Sequence, residues 1–74
     1  MTWIRTIKNE YVNSDLIFKV AIEQESGNGK WQVVAYPSHE NEPRIILRRG
    51  FDNERKAEEE RATILRSIGR DPTV

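Results

Sequence analysis

A chain of 74 residues with no cysteine, and with 12 basic side chains balanced by 12 acidic ones, excludes several classes at once. It is long enough for one domain, which buries only roughly 60% of the surface its unfolded form exposes. Disulfide scaffolds, thiolate nucleophiles and cysteine metal sites are ruled out, and a zero net charge lacks the broad basic footprint of most nucleic-acid binders.

Small secreted domains commonly rely on disulfides, so a chain without them points to the cytoplasm. The opening "MTWIRTIKNEYVNSD" carries charges throughout and has no apolar run of signal-peptide length. The longest apolar stretches, "LIF", "VAI" and "VVAY", are far too short to span a membrane. A cytoplasmic protein without membrane association is therefore expected.

Residues 1–13 read as a hairpin in which Trp3, Arg5 and Ile7 alternate. Asn9 suits the bend because it tolerates a positive φ. "NSD" (13–15) is a second turn. From residue 16 to 51 the pattern is a β-meander. Leu16, Phe18, Val20 and Ile22 alternate with polar positions, which places them on the inward face of a first long strand. "SGNGK" reverses the chain into "KWQVVAY". With Ser26–Gly29 as the loop, Glu25 faces Lys30, so Ile22 falls opposite Val33 and Val20 opposite Ala35. Trp31 then shares their apolar face.

After the polar loop "PSHENEP", "RIILRRGF" forms the third long strand. Ile45, Leu47 and Phe51 are assigned inward, Arg44, Ile46 and Arg48 outward, and Arg49 to the inward parity near the strand end. Asp52 or Asn53 caps a helix over 53–68, and Gly69 ends it. Its apolar stripe is Ala57, Ile64 and Ile68 with Leu65 at the edge, and Arg61 lies in the stripe one turn after Glu58. Residues 70–74 are a tail, in which Pro72 prevents the helix from resuming. The expected fold class is α+β: an antiparallel sheet of three long strands, plus a possible N-terminal hairpin, packed on one C-terminal helix.

The outward sheet face holds Ile17, Ala21, Val34, Tyr36 and Ile46 among its charges, more apolar surface than a wet antiparallel sheet normally shows. Something is expected to cover it: the hairpin, a second copy of the chain or a partner protein. Ile17, Val34, Tyr36 and Ile46 are therefore the candidate partner-binding residues. The alternative is a nucleic-acid face built from Lys19, Lys30, Tyr36, Arg44 and Arg48. Glu23 and Glu25 on the same face would repel phosphates, which disfavours it. The arginines also suit an ordinary edge strand, where charge discourages aggregation and pairs with Glu23 or Glu25.

No catalytic, metal or cofactor site is expected. His39 is the sole histidine, and with Glu40 and Glu42 it has no spacing that would converge on a metal. Ser14, Asp15 and His39 form no recognisable triad, and "GNG" is not a phosphate loop. Among the aromatics, Trp31 belongs to the core by parity, whereas Trp3 and Tyr36 are open to either role.

Two resemblances add to this. "WIRTIKNEYVNSDLIFKV", through Trp3, Tyr11, Val12, Asn13 and Ile17, resembles small bacterial and phage proteins that join a tryptophan hairpin to a β-meander and a C-terminal helix. That resemblance implies a fold and no activity. "GKWQVVAY" followed by a strand and "GFDNERKAEEE" resembles AP2-like DNA-binding domains, including the arm domains of phage-type integrases. It implies a sheet face lying in a DNA groove, with outward arginines and aromatics as contacts.

Overall fold

The computed structural model of the protein describes residues 2–39 and 42–70. Strands β1 (Trp3–Arg5) and β2 (Tyr11–Asn13) form a hairpin, and a 3-10 turn over Ser14–Leu16 leads into β3 (Ile17–Gln24). β4 (Trp31–Pro37), β5 (Ile45–Phe51) and helix α1 (Glu54–Ser67) follow. The long strands make one antiparallel sheet in the order β3-β4-β5, so the fold is α+β with a three-stranded sheet, a C-terminal helix and an N-terminal hairpin. Pro72 and the rest of 71–74, like Glu40, lie outside the described residues.

Turn chemistry sets the hairpin. Asn9 takes φ 62° at the bend, and the buried Thr6 hydroxyl accepts from the amides of Lys8 and Glu10. Register pairs Trp3 with Asn13 and Arg5 with Tyr11, which puts these four on one face and leaves Ile4 and Val12 on the other. Ile4 is buried in the same core as Val33, Leu47, Ala57, Ile64 and Leu65, so hairpin and helix share a core.

The β3–β4 register matches the sequence arithmetic from Lys19↔Tyr36 to Gln24↔Trp31. Below Lys19 it shifts: Ile17 pairs with Pro37, and Phe18 is the extra residue of a β-bulge. Two expectations fail here. Asn13 accepts from the Asp15 amide and caps the 3-10 turn, which takes Leu16 out of the strand. The bulge then reverses the parity, so that Ile17 is 2% exposed in the core while Leu16 and Phe18 are exposed, Phe18 at 71%. Burying an isoleucine contributes about 1.5–3 kcal/mol, and this register keeps Ile17 and Val20 inside together.

β5 contains two irregularities of its own. Val33 pairs with Arg48 and Val34 with Ile46, so Leu47 is an extra residue. Another extra residue lies between Arg48 and Phe51, where Gly50 adopts φ 86°. Leu47 is fully buried, and Ile45 and Phe51 pack on the core as expected. Arg48 does not look away from the helix. Displaced by the bulge, its Nε lies 3.6 Å from Glu60 on α1, and its Nη1 donates to the Arg5 carbonyl at 2.7 Å.

The helix follows its sequence signals. The Asn53 side chain accepts from the Lys56 amide at 2.9 Å, Ala57, Ile64 and Leu65 are buried, and Gly69 has φ 78° past the end. Two arginines tie α1 to the edge strand β3. Arg61 Nε donates to the Val20 carbonyl at 2.8 Å while its Nη1 meets Glu58 at the same distance. Arg70 donates to the carbonyls of Ser14 and Ile17. The bonds to Val20 and Ile17 satisfy edge carbonyls that another strand would otherwise pair with.

Candidate functional site

The outward sheet face is closed by its own side chains. The Tyr36 hydroxyl donates to Glu23 Oε2, and the other oxygen of Glu23 lies 3.0 Å from Arg44 Nε. The Lys19 ammonium stands 4.7 Å from the centre of the Tyr36 ring, a cation–π contact. This chain of groups reaches from β3 across β4 to the residue preceding β5. By register it surrounds Val34, whose partners are Ala21 on one side and Ile46 on the other. Val34 has no exposed surface.

The four candidate partner-binding residues therefore do not form an open patch. Ile17 lies in the helix-side core, Val34 is covered, and Tyr36 and Ile46 are half-buried. The apolar character expected from the sequence is present at Val34, Tyr36 and Ile46, but it is not open surface.

Of the nucleic-acid alternative, Lys19, Tyr36 and Arg44 meet around Glu23, whereas Arg48 and Lys30 are engaged elsewhere. Arg44 is engaged by Glu23, and Arg48 by Glu60 and the hairpin backbone. Lys30 meets Asp52 at the entry to α1, beside the hydrogen bond from the Gly50 amide to Glu25 at 2.9 Å. The Asp52 hydrogen bond, followed by its charge, raises the Lys30 pKa. Reciprocally, the Lys30 hydrogen bond and charge, with a further contribution from Lys56, lower that of Asp52. Of this set only Lys19 has no carboxylate partner among the described residues.

Open apolar surface lies elsewhere. Every large exposed hydrophobic side chain among the described residues comes from the first 18 positions: Trp3, Ile7, Tyr11, Leu16 and Phe18. Trp3 is 55% and Tyr11 64% exposed, and both stand on the outward hairpin face with Arg5 opposite Tyr11. Arg5 and Lys8 have no carboxylate partner among the described residues. Where the hairpin turn meets β5, the Ile7 amide donates to the Ile46 carbonyl at 3.3 Å, and beside it runs a groove of about 240 Å³ between Lys8 and Arg44.

No family model, curated protein or solved structure matches this chain. Among the described residues, no group of three or more His, Asp or Glu side chains is placed to hold a metal ion. No described helix is long and apolar enough to cross a membrane.

Strand parity in the sequence places Phe18 in the core, leaves Trp3 open to either role and does not single out Tyr11 as a contact. One signal was present. Leu16, Ile17 and Phe18 are contiguous, and a period of two cannot bury all three, so some of them had to face water.

Proposed function

We propose that this chain is a non-catalytic protein-interaction module whose contact surface is the outward face of the N-terminal hairpin. One observation carries the reading: Trp3 and Tyr11 stand more than half exposed on one face with Arg5 among them. Tryptophan, tyrosine and arginine are the residue types that dominate interface hot spots; the two aromatics add large contact area at low entropic cost, and arginine adds a charged, many-donor group. The same chain encloses Val34 fully, so its exposed aromatics are not explained by a shortage of polar cover.

Charge favours a different polypeptide over a second copy. A two-fold pairing of this face with itself would offer Arg5 no carboxylate, because the face consists of Trp3, Arg5, Tyr11 and Asn13. The partner that fits is a segment presenting apolar side chains for Trp3 and Tyr11 and a carboxylate for Arg5.

The test is selection of displayed random peptides on the wild-type domain, with counter-selection on a Trp3→Ala/Tyr11→Ala variant whose folding is checked by circular dichroism. Enrichment of sequences combining apolar residues with Asp or Glu, lost in the variant and weakened by Arg5→Ala, supports the reading. Peptides that bind the variant equally well, or no enrichment at all, overturn it. Tight retention on single-stranded nucleic acid at low salt, abolished by the same double variant, would replace it with base stacking on these aromatics.

A further inference from the structure

We propose that Asn28, in the turn between β3 and β4, is a spontaneous modification site that converts through a cyclic imide to aspartate and isoaspartate. Asparagine is among the thermolabile residues, and its reaction needs an accessible side-chain carbonyl and a free backbone nitrogen on the next residue. Asn28 is exposed and is followed by Gly29, which has no side chain to shield its amide. A Cβ at Gly29 would meet only the tip of Gln24, at 4.0 Å, so the approach is open. The Gly29 amide donates to no group among the described residues.

The electrophile is also prepared. The Lys30 amide donates to Asn28 Oδ1 at 2.9 Å, which polarises the side-chain carbonyl and folds it back over the following residues. That donor sits where negative charge develops during attack. The Gly29 nitrogen, having lost its proton to hydroxide, bonds to Asn28 Cγ; the bond from Cγ to Nδ2 then breaks, and Nδ2 takes a proton from water and leaves as ammonia, returning the hydroxide. Water then opens either carbonyl of the five-membered imide. No change of oxidation state occurs.

Other asparagines serve as internal controls. Asn13 makes the same kind of turn, its Oδ1 accepting from the Asp15 amide at 3.0 Å. There the next residue is serine, and the Ser14 amide is already donated to the Thr2 carbonyl at 2.8 Å. Asn53 caps α1 and precedes Glu54, and Asn9 precedes Glu10. Among the described residues Asn28 alone combines a polarised carbonyl with an unengaged glycine amide.

The product changes more than a label. Net charge moves from 0 to −1, since one neutral amide becomes a carboxylate. The new carboxylate lies two residues before Lys30 and competes with Asp52 for its ammonium. In the isoaspartate form an extra backbone methylene also strains the closing bond from the Glu25 amide to the Lys30 carbonyl, 2.7 Å. The clasp between this turn and the entry to α1 loosens as a result.

The full chain is incubated for days in mildly alkaline buffer and followed by anion exchange, peptide mapping and labelling with an isoaspartyl methyltransferase. The expected result is one acidic species, mapped to Asn28, forming about tenfold faster than any product at Asn9, Asn13 or Asn53. It should be absent from Asn28→Gln, and amide exchange at Gly50 should be faster in the purified isoaspartate form than in fresh protein. Conversion at Asn28 no faster than at the other three overturns the proposal. So does an Asn28→Gln chain that yields the same acidic species.

Discussion

Two tyrosines mark the difference between the outward sheet face and the outward hairpin face. Tyr36 is half-buried, its hydroxyl donated to Glu23 and its ring under the Lys19 ammonium. Tyr11 is 64% exposed and has neither kind of partner among the described residues. Both faces present aromatic and basic side chains on antiparallel strands. On the sheet, Glu23 accepts from the tyrosine on β4 and pairs with the arginine before β5, and the group shuts over Val34. On the hairpin, no carboxylate on that face answers Arg5, and the rings stay open. The same residue types thus make a closed surface or an open one, depending on whether an acid sits among them.

The sharpest way to break this comparison is at the bulge that decides which side chains near residue 17 are open. Ile17→Ala should cost about 2–5 kcal/mol, as expected for a buried isoleucine truncated in a close-packed core. Phe18→Ala, one position on, should stay within about 0.5 kcal/mol of wild type, because its ring is mostly in water. Equilibrium denaturation of the two variants measures both. A reversed order would return Phe18 to the core and remove it from the exposed N-terminal set.

A smaller effect separates the two outward faces directly. Glu23→Ala removes the acceptor for Tyr36 and the partner of Arg44 together, and should destabilise by about 1–2 kcal/mol, given that Glu23 is partly shielded. Amide exchange at Val34 should rise with it. Trp3→Ala and Tyr11→Ala should each remain within about 0.5 kcal/mol, since neither ring is held by the fold. Equal losses on the two faces would mean that the hairpin aromatics are structural, and would weaken the interaction reading.

Most of the fold was legible in the sequence because it depends on local periodicity and turn chemistry. The β3–β4 register followed from a glycine-rich loop and complementary apolar faces, and Gln24↔Trp31 to Lys19↔Tyr36 obey it. Asn53, Gly69 and the stripe from Ala57 to Ile68 delimited the helix in the same way. What failed were the places where an extra residue interrupts the period. A bulge at Phe18 reversed the expected faces of residues 16–18, and another at Leu47 turned Arg48 towards Glu60. Bulges are chosen by the whole core, here by the need to bury Ile17, Val20 and Leu47 together, and no short window displays that need. The candidate partner-binding set rested on uninterrupted parity, so it inherited the error at Ile17. Val34 was placed on the correct side, but its covering depends on Glu23, Tyr36 and Arg44 meeting across three chain segments.

The smallest expected effect concerns the clasp at the other end of the sheet, where Lys30 meets Asp52. Asp52 has its pKa lowered from 3.8, first by the Lys30 hydrogen bond and then by its charge. A carboxyl whose folded value is depressed contributes stability above its unfolded value, and that contribution is lost as pH falls through the folded one. Lys30 has its pKa raised from 10.5 by the same partner, so its contribution is present below that value and lost as pH rises through the higher folded one. Thermal stability of wild type relative to Lys30→Met should therefore show a constant difference across neutral pH that shrinks at both extremes. Both groups are solvent-exposed, so the difference should also fall as salt is added. A gap between the two proteins that persists below the depressed Asp52 value would place its origin in packing of the lysine stem and not in the ion pair. In that case a carboxylate formed at Asn28 would not loosen the turn by drawing the ammonium away from Asp52.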